Sequence, residues 1–267
     1  MTTQLSTTQQ RMGEFRKALE LTYGEQIKAS LPSPRDFNRF CQAMLTCAGV
    51  NPKLLDTTLE SRIACAIQCA HLGLFPDTVI GYAYLVPFYN KRKGASECHL
   101  IPGYKGLMQL ARRSGEISVI QARAVYRDDE FRVVLGTSDH LTHTPGPNYD
   151  GDASLITHVY AIAAYTSGGM QFETMTRERV ETYRARSRAG QSGPWVTDWL
   201  PMALKTVIKR LIPFLPSATA AIHAAQLDDM DERGVPQNLH AHGVNIIDAA
   251  TEPPDNGDQA PADGADN

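Results

Sequence analysis

The apolar residues of the first third of the chain repeat at helical spacing. Residues 8–29 and 34–48 read as helices, the second with Pro34 at a helix start and Phe37, Phe40, Cys41 and Met44 on one stripe. A third helix over residues 57–72 turns Leu59, Ile63, Ala66, Ile67 and Ala70 inward and is stopped by Gly73 and Pro76. The period then shortens to that of strands. Residues 82–89 and 97–101 flank Asn90-Lys91-Arg92-Lys93-Gly94-Ala95-Ser96, which predicts a β-hairpin with a basic tip. A helix opened by Gly103 follows, with Leu107, Leu110 and Ala111 facing the core. Lys105, Gln109 and Arg112 lie on the opposite stripe at i, i+4, i+7 spacing, with no acid among them.

Residues 117–126 and 130–135 read as strands joined by the tight acidic turn Asp128-Asp129. Residues 154–166 and 170–176 form a second pair around Ser167-Gly168-Gly169, and a Pro-, Gly- and Asp-rich loop, 136–151, separates the pairs. Arg177, Arg179, Arg184, Arg186 and Arg188 run into a flexible Gly-rich loop. A last amphipathic helix starts at Asp198, with Leu204, Val207, Ile208 and Leu211 inward and Lys205, Lys209 and Arg210 outward. The pattern predicts an α+β fold in which a small antiparallel sheet and hairpins pack with helices.

Charge divides the chain. Residues 1–225 carry 25 Lys and Arg against 19 Asp and Glu, whereas residues 226–267 carry 1 against 10, so the net charge of −3 conceals a basic body and an acidic tail. A basic fold with an acidic extension remains compatible with nucleic acid. The expected organisation is a basic core over residues 1–225, for which the resemblance given below implies DNA binding, annealing and oligomerisation, and a largely disordered tail over 226–267. With no long apolar run and a polar Thr/Gln-rich start, the chain is expected in the cytoplasm and away from membranes. Cys41, Cys47, Cys65, Cys69 and Cys98 include no C-x-x-C pair and read as reduced core thiols.

Little in the sequence looks catalytic. It holds no G-x-x-x-x-G-K-[ST] loop, no H-E-x-x-H and no G-x-S-x-G, so ATP-driven or metal-hydrolase chemistry is disfavoured and no cofactor is expected. His140/His143 and His240/His242 fall in loop-like or tail-like sequence without a supporting carboxylate pattern. Asp128, Asp129 and Glu130, with Glu173, could hold Mg²⁺ for a nuclease. However, successive side chains of a strand alternate between faces, which favours a solvated turn. The binding signal is more consistent, since cations recur beside aromatic rings at Tyr104-Lys105 and near Trp195 and Trp199, as single-stranded nucleic acid sites require. Core packing is the alternative for each tryptophan, above all for Trp199.

Four blocks in order carry a resemblance. They are Ala66-Ile67-Gln68-Cys69-Ala70-His71-Leu72-Gly73-Leu74-Phe75-Pro76, Gly81-Tyr82-Ala83-Tyr84-Leu85-Val86-Pro87-Phe88, the run from Ile101 to Ile117, and Gly193-Pro194-Trp195-Val196-Thr197-Asp198-Trp199 leading into residues 202–211. From about residue 59 to about 216 the chain resembles the RecT family of phage single-strand annealing proteins. That resemblance implies coating of single-stranded DNA, rings or helical filaments, and pairing of complementary strands without ATP or sequence specificity; an effect of Mg²⁺ on annealing is left open. It also implies the annealed duplex, a phage exonuclease and the host single-strand binding protein as partners. Lys105, Arg112, Arg113, Lys205, Lys209 and Arg210 are the expected phosphate contacts, with Gln109 on the same helix face as Lys105. Arg123, Arg184, Arg186 and Arg188 form a second tier, and Tyr104 and Trp195 are stacking or groove-wall candidates. The proline and aromatics of residues 82–89, with the tip Lys91, Arg92 and Lys93, suit either a DNA-guiding finger or a contact between protomers. Gly103, Gly106, Gly115 and Gly193 are expected to serve the backbone. In the tail, Val244-Asn245-Ile246-Ile247 is an apolar island that could dock a partner. Alternatively, the tail's acids compete with DNA, or the segment only solubilises. The rival readings are a Mg-dependent nuclease and a sequence-specific duplex regulator; the second lacks a helix-turn-helix with a base-reading face.

Overall fold

The computed structural model describes residues 7–77 and 80–239. Helices α1 (Thr7–Lys17), α2 (Gly24–Ser30), α3 (Phe37–Val50) and α4 (Leu59–Leu72) come first. The single helix expected over residues 8–29 is broken, because Ala18–Thr22 widens into a π-helical turn before α2 begins. On a straight helix Ile27 would lie about 120° around from Phe15. The break restores the phase, and Phe15, Leu19 and Ile27 are all in the core. α4 is covered on all sides: Ile63, Ala66, Ile67, Cys69 and Ala70 are fully buried, and so, nearly, are Arg62 and Gln68. Thr58 caps its start, accepting the Ser61 N–H at 3.3 Å, and Gly73 ends it with φ +56°.

β1 (Ala83–Asn90) and β2 (Ala95–Pro102) form the basic-tipped hairpin, in register from Ala83↔Pro102 to Asn90↔Ala95. α5 (Tyr104–Arg112) follows, then β3 (Ile117–Tyr126), β4 (Glu130–Val134), β5 (His140–Thr144), β6 (Ile156–Tyr165) and β7 (Met170–Thr176). The main sheet has the antiparallel order β3-β6-β7. The pairing of residues 117–126 with 130–135 expected across Asp128-Asp129 does not occur. β3 pairs with β6, and β4 pairs with β5, a strand inside what read as the loop 136–151. Length explains the exchange, since a ten-residue β3 beside a five-residue β4 would leave half its ladder unpaired, whereas β6 also has ten.

The chain ends in α6 (Arg177–Arg186), α7 (Pro194–Thr197), α8 (Trp199–Leu211) and α9 (Thr219–Glu232). α8 crosses the main sheet and buries Val207, Ile208 and Leu211, while α9 packs on β2 and α5. α9 runs through the division of charge at 225/226, and packed structure continues to Leu239. There the Gln237 side chain accepts the Leu100 N–H at 2.9 Å and donates to the Leu100 carbonyl at 2.7 Å. The remaining tail, with His240, His242 and Val244-Asn245-Ile246-Ile247, lies outside the described residues. All five cysteines are free and buried, and burial pushes the Cys41 and Cys47 thiols up to about 11. Among the described residues no helix is long and apolar enough to cross a membrane.

Candidate nucleic-acid interface

Gly103 and Gly106 place the start of α5 directly on the backbone of residues 81–82. A Cβ at Gly103 would stand 2.0 Å from the Gly81 carbonyl oxygen, and one at Gly106 would stand 2.1 Å from that of Tyr82. The ladder is extended by the Gly103 N–H, which donates to Tyr82 at 3.0 Å. No side chain caps α5 and no acid lies in its first turn, so nothing in that turn offsets the positive end of its dipole. Tyr84, 38 % exposed, packs its ring against Gly81 and Gly103. Its hydroxyl is raised above the usual tyrosine value by burial and by its neighbours Tyr104 and Asp77. Lys105 is exposed, with no hydrogen bond or ion pair among the described residues. An uncapped, acid-free helix start thus carries the exposed Lys105 next to Tyr104, which neighbours Tyr84, a combination suited to a phosphate and a base.

The other cations expected on α5 are tied to the fold. Arg112 donates to the Ile120 carbonyl at 2.9 Å. Arg113 donates to the Leu72 carbonyl and, at 2.7 Å, to that of Gly73, so it closes the end of α4. Gln109 is half-buried, with its side-chain oxygen unpaired.

On α8, Lys205 turns inward rather than outward and is 8 % exposed. It binds Asp228 of α9, and Lys209 binds Asp228 at 2.8 Å, Asp229 at 2.5 Å and Glu232 at 2.9 Å. Burial opposes the Lys209 charge, but the three carboxylates hold its pKa above the ordinary lysine value. Burial likewise works against the Asp228 carboxylate, and the two lysines hold it below the usual range. Among the described residues, Asp228, Asp229 and Glu232 are the one group with metal-ligand spacing, and the Lys209 ammonium stands among them. Asp128, Asp129, Glu130 and Glu173 do not converge in this way.

The remaining candidates divide similarly. Arg123 reaches the Tyr149 hydroxyl at 3.3 Å, Arg184 the Gly190 carbonyl at 2.8 Å, and Arg188 both Asp231 at 3.6 Å and the Phe88 ring at 4.8 Å. Lys91 and Arg92 project from the hairpin tip, where Lys93 pairs with Glu97 at 2.6 Å. Trp195 is 2 % exposed, so its ring faces belong to the core. Trp199 is half-buried, donates to Glu181 at 2.7 Å and lies under Arg177. Arg186 and Arg210 are brought together with Arg179 around Tyr183. Arg179, Tyr183 and Arg186 follow i, i+4, i+7 spacing, the signal that singled out Lys105, Gln109 and Arg112. Tyr183 did not stand out in the sequence as a site residue, and Tyr84 did so only as one of the aromatics of residues 82–89.

The acidic turn is no solvated turn at Asp129, whose side chain is fully buried. It accepts the Tyr126 and Gly146 N–H groups at 2.7 Å each and His143 Nε2 at 2.9 Å, and His143 Nδ1 lies 3.0 Å from the Tyr160 hydroxyl. His143 thus has the carboxylate partner that its sequence context did not reveal. Phe131 stacks on Tyr160, completing the attachment of the β4–β5 hairpin to the main sheet. Burial pushes the Asp129 pKa up, but its donors outweigh that and hold it below the usual carboxylate range. A lowered folded-state pKa means that the stability is present above the unfolded value of about 3.9 and is lost as pH falls through the folded one. Asp129→Asn is therefore expected to lower the melting temperature at neutral pH and to flatten its fall between about pH 5 and pH 3. Thermal melts across that range check it, and parallel profiles would exclude the carboxylate as the source.

A model of the RecT family matches residues 38–238. Protein RecT of Escherichia coli (strain K12) is 41 % identical over 209 residues, which cover 78 % of this chain and 77 % of that protein. The uncharacterized protein YqaK of Bacillus subtilis (strain 168) is 26 % identical over 262 residues, covering 90 % of this chain and 87 % of that protein.

Proposed function

The chain belongs to the RecT family, and on that premise we propose that it binds single-stranded DNA and anneals complementary strands without ATP and without bond-making or bond-breaking chemistry. It acts in phage or prophage recombination in the bacterial cytoplasm, as an oligomeric ring or helical filament. A phage exonuclease and the host single-strand binding protein are its further partners. The observation that carries this reading is the acid-free start of α5, where the exposed, unpaired Lys105 follows Tyr104, and Tyr104 neighbours Tyr84. Annealing needs strands held by their backbones with base edges left free, so that a second strand is tested by base pairing. Cations, open N–H groups and ring faces supply that hold without reading sequence.

The test is annealing of two complementary oligonucleotides without ATP, followed by fluorescence, with products imaged by electron microscopy. Rapid annealing with rings or filaments is expected. Binding without annealing would overturn the proposal in favour of a coating protein, and loss of DNA on adding Mg²⁺ would do so in favour of a nuclease. Lys105→Ala is expected to weaken binding to all sequences alike and to make the log–log salt slope shallower by about 0.7, the share of one phosphate on a single strand. An unchanged slope in a salt titration would remove Lys105 from the interface.

A further inference from the structure

α6 buries only Val180 and is polar around the rest of its surface. The exception on that surface is Tyr183, half-buried against the core. Two of the four arginines of α6 have structural partners: Arg177 donates to the Ala153 carbonyl at 2.7 Å, and Arg184 to that of Gly190 at 2.8 Å. The other two, Arg179 and Arg186, are exposed and have no carboxylate partner among the described residues. They flank Tyr183, with guanidinium carbons 5.8 and 6.0 Å from its ring centroid. From α8, Arg210 donates to the Tyr183 hydroxyl at 3.1 Å. The one carboxylate in this group is Glu173 of β7, 3.4 Å from Arg210. Three guanidiniums thus surround one half-buried ring with a single acid to offset them, and the surplus of like charge favours an anion.

We propose that Arg179, Tyr183, Arg186 and Arg210 form a nucleotide subsite for single-stranded DNA, on a different helix from the α5 site and resting on the reading given above. The guanidiniums take the phosphate, and the base stacks on the Tyr183 ring or on a guanidinium plane laid against it. Those two surfaces are what distinguish a nucleotide from an acidic peptide, which would use the charge alone. The subsite reads no sequence, because every base has a ring face.

The experiment uses the full chain and a fluorescent oligonucleotide carrying 5-bromodeoxyuridine. Irradiation is expected to cross-link Tyr183, identified by mass spectrometry of the peptide. In salt titrations the Arg179→Ala/Arg186→Ala double variant is expected to lose about 1.4 from the log–log slope, two phosphate shares. Tyr183→Leu is expected to bind about fivefold or more weakly at fixed salt, and Tyr183→Phe to regain most of that loss by keeping the ring. Circular dichroism and thermal melts establish that each variant is folded. Cross-links confined to other segments, or variants that bind with wild-type affinity and slope, would overturn the subsite and leave the annealing reading standing. A wild-type chain that binds no single strand would overturn both.

Discussion

Replacing Asp228 with alanine is expected to lower the melting temperature by roughly 6–20 °C, the largest effect of any single substitution considered. The Asp228 side chain is 1 % exposed, and it is the one carboxylate paired with Lys205 among the described residues. Removing it leaves the Lys205 ammonium buried and uncompensated, while Lys209 keeps Asp229 and Glu232. Breaking a buried pair from one side costs about 3–5 kcal/mol, and in a domain of this size each kcal/mol corresponds to about 2–4 °C. The pair itself is no large source of stability, because desolvating both charges offsets most of their attraction. A Lys205→Met/Asp228→Leu double variant should therefore recover most of the loss. Differential scanning calorimetry of both variants checks this. If the double variant melts as low as the single one, the cost lies in the packing of α8 on α9 and the stranded charge is not its cause.

Gly106→Ala is expected to be the next most damaging substitution, and it joins stability to function. The added methyl would meet the Tyr82 carbonyl at 2.1 Å, and that neighbour is backbone, with no side chain to swing away. Overpacking a well-filled site costs about 1–3 kcal/mol and occasionally more. Here the strain is relieved only if the start of α5 moves off the backbone of residues 81–82. Such a movement carries the helix start, with Tyr104 and Lys105, away from the Tyr84 ring that lies against Gly103, so affinity for single-stranded DNA should fall together with stability. Gly115→Ala is the comparison, since Gly115 has φ +76° and open space around its missing Cβ. It should cost about 1–2 kcal/mol of backbone strain and leave the interface in place. Urea denaturation and filter binding separate the two. Wild-type affinity in a destabilised Gly106→Ala protein would show that the seating of α5 does not govern binding.

Much of the fold was legible because it is local. The β1–β2 and β6–β7 hairpins follow from strand alternation on both sides of turn residues, and α5 from its two stripes. What escaped depends on partners far away in sequence. Lys205 and Lys209 have the spacing of an outward face, but the acids that draw them inward lie on α9, in a stretch that composition alone assigned to the tail. β5 escaped because its apolar positions are only half-covered, leaving a weak alternation in a Pro- and Gly-rich context. In the site, Lys105 and Tyr104 were visible from spacing and chemistry. Tyr84 was visible only as one ring of the aromatic run 82–89, since its neighbourhood with Tyr104 exists only once Gly103 and Gly106 let the helix start lie on residues 81–82.

A primary amide offers the same donor and acceptor as a peptide group, and Gln237 spends both on the outer edge of β2. One side chain thereby plays a single rung of a third strand and occupies part of an edge that could otherwise recruit a stranger. A fragment cut where the charge changes sign would lose the second half of α9 together with that rung. The shortest piece worth expressing ends at Leu239 or later.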